Sequence, residues 1–251
     1  MNRLAVLMFS VVTYGMFLAV FLYAVGFIGN FAVPRSLDSP VRVDVPTAIA
    51  IDTLLLALFA LQHSVMARGW FKRLVHRIMP AAAERSLYVL ASNLALIALF
   101  IFWQPIGITI WHVTNPVGQA ILYALFAAGW LTVLVTTFLI NHFDLFGLRQ
   151  GWLYFRGEPY RQLHFTMPGP YRWVRHPLYV GWLLAFWGAP LMTLGHLVFA
   201  LGTTAYILIA IQLEERDLLA AHGESYARYR QQVPMLIPVP KNRRVAPASA
   251  D

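Results

Sequence analysis

Six apolar runs, each on the order of 20 residues or somewhat shorter, recur along this chain, with most of the basic residues between them gathered in alternate linkers. They are Leu4–Ile28, Pro46–Met66, Leu87–Trp103, Val117–Ile140, Leu178–Leu191 and His196–Leu213. Away from water such a run can satisfy its backbone only as a helix or a closed barrel, and the unbroken apolar character points to helices. Composition agrees. The chain is 59% hydrophobic and 12% charged, with a mean hydropathy of +0.61, values that a soluble domain of 251 residues would not carry.

The last two runs are short and could form one long helix, but Pro190 and Gly195 interrupt them and favour a break and a hairpin. The positions of lysine and arginine decide the count. With six spans, all of the 19 basic residues except Arg35 and Arg42 fall on one side. With five spans, Arg216, Arg228, Arg230, Lys241, Arg243 and Arg244 would be carried across. The expectation is therefore an all-α integral membrane protein of about six transmembrane helices, the last two a helical hairpin, with both termini cytoplasmic. The net charge of +8 is then the positive-inside bias and not a nucleic-acid surface. Membrane lipids are the expected surroundings, and anionic headgroups are attracted to the basic face.

The first apolar run is too long for a signal-peptide core and lacks a small-residue cleavage site, so it reads as a retained helix. The chain has no cysteine, which excludes disulfides, thiolate metal sites and a cysteine nucleophile. One domain is expected. Residues 1–140 supply the first four helices. Residues 141–238 supply a polar loop, the hairpin and a C-terminal segment, and 239–251 form a disordered tail. A helix running on from Glu214 should stop at Gly223, and a short helix after it places Tyr226 and Tyr229 on one face at i, i+3.

Two polar clusters flank the hairpin. In Arg175-His176-Pro177-Leu178-Tyr179-Val180-Gly181, proline pushes His176 out of helical geometry and itself suits the first helical turn. His176 then sits beside a helix N-terminus able to receive a carboxylate, unless the cluster is only a basic interfacial belt. Tyr179 and Gly181 follow in the first turns, the glycine admitting a close ligand or helix. Glu214 and Glu215 come directly after an apolar span, where carboxylates are unfavourable unless paired or solvated. They could accept from sugar hydroxyls, pair with Arg175, or mark the helix's exit into water. A hairpin brings both clusters to one membrane face.

In order and spacing, Arg-His-Pro-x-Tyr-x-Gly, then Glu-Glu-x-x-Leu, then Gly223-x-x-Tyr226-x-x-Tyr229-x-x-x-Val233-Pro234 resemble the C-terminal signature of the isoprenylcysteine carboxyl methyltransferase superfamily. The resemblance covers about the C-terminal third. It implies a pocket for S-adenosylmethionine, with S-adenosylhomocysteine as product, contacted by Arg175, His176, Tyr179, Gly181, Glu214 and Glu215 and shaped by Tyr226 and Tyr229. Met235 stands where prenyl-substrate members often have arginine, so a substrate carboxylate is less expected. Upstream, the runs Phe21–Phe27, Gln62-His63-Ser64, Glu84–Leu90 and His142–Gly147 resemble the bacterial methanethiol S-methyltransferases, neighbours of the NnrU-like membrane proteins. That resemblance covers most of the chain. It implies methylation of a small volatile thiol, methanethiol to dimethyl sulfide, with hydrogen sulfide as a second acceptor, at the cytoplasmic face of a bacterial inner membrane.

A sulfonium donor is already reactive, so alignment is the main requirement, and no metal or redox cofactor is needed. The thiol must become a thiolate. His142 paired with Asp144 could act as general base, with His164 as a substitute; alternatively His142-Phe143-Asp144 is an interfacial helix end, since i, i+2 positions do not share a helical face. Gln62 and His63, near the end of the second span, either line a substrate pocket or make a helix–helix hydrogen bond. Two other functions compete: a prenylcysteine-type carboxyl methyltransferase, and a non-enzymatic NnrU-like or bis-histidine haem protein using His63 and His142. The oligomeric state is open.

Overall fold

The computed structural model of the protein describes residues 1–161 and 169–238. His164 and the tail from residue 239 lie outside them. Ten α-helices are found among the described residues, beginning with α1 (Arg3–Gly29), α2 (Val45–Met66), α3 (Gly69–Val75), α4 (Ala81–Phe102) and α5 (Pro116–Ile140). Then come α6 (His142–Leu145), α7 (Leu148–Arg156), α8 (Pro177–Trp187), α9 (Leu194–His222) and α10 (Glu224–Gln232). Helices α1, α2, α4, α5 and α9 are long and apolar enough to cross a membrane. The protein is an all-α integral membrane protein.

Local chemistry sets the helix starts. Asn2, Asp44, Asn115 and Thr193 each accept a hydrogen bond from a backbone N–H of the first turn that they cap. Pro116 and Pro177 open α5 and α8, where the missing N–H costs nothing. α1 ends on Asn30 in the left-handed region.

The fifth crossing departs from expectation. α8 has 11 residues and rises only about 16 Å, against about 30 Å of hydrocarbon. Beyond Trp187 the chain runs on through Gly188–Pro190 into a short strand, β2 (Leu191–Thr193), paired antiparallel with β1 (Thr109–His112). The 106–113 segment supplies hydrogen bonds in place of those a helix would make. Val113 N donates to Pro190 O at 2.9 Å, Leu194 N to Ile108 O at 2.7 Å and Gly195 N to Ile106 O at 3.1 Å. Irregular backbone is thus buried against protein, the condition for leaving helical geometry within a membrane.

α8 lies against α5 through small residues. A Cβ on Gly129 would stand 2.5 Å from Ala185 N and 2.7 Å from Gly181 O. One on Gly181 would stand 2.9 Å from Gly129 O. Around this crossing an aromatic core of Phe27, Phe100, Trp103, Trp130, Phe186 and Phe199 fills the centre. α1 and α4 run parallel, Ser10 meeting Ser86 at one end and Phe27 meeting Trp103 at the other. At the β1–β2 end, His196 bonds Phe186 O at 2.9 Å and faces Asp38 at 3.7 Å. Asp52, fully buried, accepts from Gln104 N at 2.8 Å. These groups fasten loops to the bundle.

Candidate active site where α8 begins and α9 ends

From β2 to Glu215, α9 climbs about 31 Å. α8 and its extended continuation cover the same height, which brings the Arg175–His176 corner level with the twin carboxylates. Arg175 Nε donates to Glu215 Oε1 at 2.7 Å, and His176 Nε2 lies 3.0 Å from the same oxygen. His176 Nδ1 faces Glu214 Oε2 at 3.6 Å, and Arg230 stands 3.9 Å from Glu215 Oε2. The expected meeting of the two clusters is observed.

The C-terminal segment closes over this corner. Arg175 Nη1 donates to Val233 O at 2.6 Å and to Arg230 O at 3.0 Å. Arg175 N and His176 N donate to Pro234 O and Met235 O at 2.8 and 3.2 Å. Tyr229 donates to Tyr171 O at 2.7 Å. Tyr226 is buried beside Tyr229, their rings 5.8 Å apart. Burial, with the Glu215 charge adding to it, pushes the Tyr226 phenol up to about 12; burial, with Tyr226 adding to it, does the same for Tyr229. Both are neutral at physiological pH and shape the site as buried tyrosines.

The two carboxylates are not equivalent. The Glu215 side chain is 7% exposed and fully engaged; that of Glu214 is 46% exposed and hydrogen-bonds Tyr179. Glu215 therefore holds the corner together, while Glu214 remains accessible to a ligand. Gly181 serves the other of its two expected uses: α5, not a ligand, comes close to it.

The expected His142–Asp144 pair does not form. His142 opens the short α6 and is buried against α1 and α5. Tyr14 Oη lies 2.9 Å from its Nε2 and Thr137 Oγ1 2.8 Å from its Nδ1. Thr137 commits its one proton to Leu134 O at 2.7 Å, so it must accept from His142 Nδ1–H. Nε2 then receives the Tyr14 proton, and no lone pair is left for a substrate. Burial also holds the imidazole below the usual histidine value. Asp144 instead takes Arg149 at 2.7 Å and the Tyr160 hydroxyl at 3.1 Å. At i, i+2 the two side chains leave α6 in different directions.

Gln62 Nε2 donates to Met66 Sδ at 3.1 Å, and its Oε1 is buried without a hydrogen-bond partner among the described residues. His63 faces α4 and α9, its Nδ1 3.2 Å from Ser92 Oγ and its ring beside Tyr88 and Tyr206. Tyr206 and Tyr88 were not singled out in the sequence. Both lie within electrostatic reach of Tyr179; the i, i+4 pair Tyr88–Ser92 was a signal for Tyr88, and the sequence carried none for Tyr206. Among the described residues His63 packs against Phe59, Tyr88 and Tyr206, and His142 against Tyr14, Thr137 and Phe138.

The phospholipid methyltransferase family matches residues 119–224, from α5 to the end of α9. The methanethiol S-methyltransferase of Crocosphaera subtropica is 60% identical over 238 residues, covering 95% of this chain and 93% of its own. That of Mycobacterium tuberculosis is 49% identical over 240 residues, covering 96% and 98%. The nurim of Xenopus laevis is 31% identical over 177 residues, covering 67% and 62%. No solved structure matches. With relatives so similar over nearly its whole length, the chain belongs to the methanethiol S-methyltransferase family.

Proposed function

We propose that the protein transfers a methyl group from S-adenosylmethionine to methanethiol, giving dimethyl sulfide and S-adenosylhomocysteine. It does so in a bacterial cytoplasmic membrane, with the site on the cytoplasmic side. The observation that carries this reading is the division of labour between the carboxylates: a locked Arg175–His176–Glu215 cluster with the half-exposed Glu214 carboxylate beside it. The activity for which the relatives are named supplies the acceptor. The basic residues gathered at the site end supply the orientation.

The donor set fits the proposed methyl donor. A ligand carrying ribose hydroxyls, a carboxylate and a sulfonium needs an acceptor, a cation and aromatic faces. Glu214 offers the first, the partly exposed Arg230 guanidinium the second, and Tyr179, Tyr88 and Tyr206 the third. When bound, that donor supplies an activated methyl group. The chain's own part is to hold it, exclude water and align a thiolate with it. Glu215 fixes Arg175 and His176, these fix the segment from Arg230 to Met235, and Glu214 with Tyr179 faces the ligand.

The test is headspace mass spectrometry of membranes given methyl-deuterated S-adenosylmethionine and methanethiol. Trideuterated dimethyl sulfide should accumulate with the intact protein and fall at least tenfold with Glu214→Ala. No labelled product from the intact protein would overturn the proposal.

A further inference from the structure

One ionisable group, largely withdrawn from solvent beside the site, has no task in the scheme above. His63 lies on the face of α2 turned toward α4 and α9, one tyrosine removed from Tyr179 and Glu214. Its hydrogen bonds define its protonation. Ser92 Oγ donates its single proton to Tyr88 O at 3.0 Å. Toward His63 Nδ1, 3.2 Å away, that hydroxyl can therefore only accept. The imidazole proton resides on Nδ1, and Nε2 keeps its lone pair. Among the described residues no hydrogen bond engages His63 Nε2. His142 carries the same tautomer lock, but Tyr14 occupies its Nε2. Of these two imidazoles, only His63 presents a basic nitrogen.

We propose that His63 is the general base that deprotonates the acceptor thiol, and that the niche between α2, α4 and α9 is the acceptor site. This rests on the methyl-transfer reading above and adds to it the acceptor's position and the base. The surroundings suit a small apolar thiol. The Phe59 ring stacks on the imidazole at 5.2 Å, and the Tyr88 and Tyr206 rings stand 4.8 and 6.4 Å from it. These three rings give the imidazole an aromatic, largely apolar surround of the kind a one-carbon thiol would enter.

The charges facing His63 favour a thiolate. From α4 come Arg85 and Tyr88, Arg85 lying 5.6 Å from the centre of the Tyr88 ring. From α9 comes Tyr206, bonded to Ser64 Oγ at 3.3 Å. Just past α2, Arg68 donates to Ser64 O at 3.3 Å and reaches Asp217 at 3.4 Å. The nearby carboxylate, Asp217, is thus already paired, while two guanidiniums attract an anionic sulfur and discourage a lasting imidazolium.

The step balances. The S–H bond breaks, its proton goes to His63 Nε2 and its electron pair stays on sulfur. That sulfur bonds the donated methyl carbon as the carbon's bond to the sulfonium sulfur breaks, the pair going to the departing sulfur. The proton then leaves His63 for bulk water, so the lost sulfonium charge reappears as one released proton. Tyr179, in contact with Glu214 and in reach of Tyr206 and Tyr88, is the wall that the acceptor and donor sites share.

The experiment compares purified wild-type protein with His63→Ala, His63→Gln, Ser92→Ala and, as a control, His142→Gln. It follows methanethiol methylation from pH 6 to 9 and S-adenosylhomocysteine binding by calorimetry. Both His63 variants should lose about 100-fold in turnover near neutrality while binding S-adenosylhomocysteine within a few-fold of wild type. Their remaining rate should climb about tenfold per pH unit, because only thiolate already present in solution can react. Free imidazole should restore part of the rate in His63→Ala. Ser92→Ala, which frees the tautomer, should lose about tenfold, and His142→Gln should keep the wild-type pH profile. If His63→Ala fails to bind S-adenosylhomocysteine, the glutamine and Ser92 variants decide. Wild-type turnover and pH profile in the His63 variants would overturn the assignment and leave the methyltransferase reading standing. Absence of methylation in wild type would overturn both.

Discussion

Replacing Glu215 with alanine will unfold the site end of the protein before it reveals anything about catalysis. The Arg175–Glu215 pair is nearly dry, with side chains 11% and 7% exposed, and His176 at 5% shares the same oxygen. Removing the carboxylate strands a guanidinium and an imidazole in a low-dielectric setting, a loss of about 3–5 kcal/mol for a broken buried pair. The Val233–Met235 strap, held by Arg175 and by the backbone of Arg175 and His176, should loosen with it. Thermal unfolding in detergent measures the first effect, and proteolysis within α10 the second. Adding Arg175→Met to Glu215→Leu should recover part of the loss, since an apolar pair leaves no stranded charge. Recovery stays incomplete because Arg175 also holds Val233 O and Arg230 O. A Glu215→Ala protein as stable as wild type would show that the cluster does not fasten this end.

Gly129→Leu will separate α8 from α5. At this crossing backbone meets backbone: the nearest atoms to a new Cβ are Ala185 N, Gly181 O and Ala185 Cα, at 2.5, 2.7 and 3.0 Å. No flexible side chain is there to give way. Even Gly129→Ala should cost about 1–3 kcal/mol by overpacking, and leucine more. Because α8 carries Tyr179 and starts at His176, donor binding should fall along with stability. Gly15→Ala is the control. Nothing lies within 4 Å of a Cβ at Gly15 in mid α1, so it should be neutral or stabilise by up to about 1 kcal/mol through helix propensity. Equal denaturation midpoints for Gly129→Leu and wild type would refute the close crossing.

Much of this architecture is legible in the residues. Apolar length and the one-sided basic residues give the spans, and Pro190 gives the turn between the last two. What the pattern hides is that the fifth crossing finishes as strand. The alternation Ile108-Thr109-Ile110-Trp111-His112 is a β signal, yet its partner Leu191-Met192-Thr193 lies far along the chain, and three-residue strands carry no period of their own. The site divides the same way. Arg-His-Pro and Glu-Glu announce a cluster, but adjacent glutamates on one helix differ by about 100° in direction, and only the fold shows which faces Arg175. His142 and His63 look alike in sequence. The hydroxyl that locks each of them, Thr137 or Ser92, is ordinary in composition, and its donor is spent on a helix carbonyl that no sequence reading can see.

On the proposed mechanism, the junction of Arg175, His176, Glu214 and Glu215 holds an adenosyl ligand. Equilibrium binding of S-adenosylhomocysteine to purified protein tests it without any acceptor present. Saturable binding, weakened at least tenfold by Glu214→Ala with the unfolding midpoint unchanged, is the predicted result. Equal affinity in the two proteins, or none in either, would contradict it.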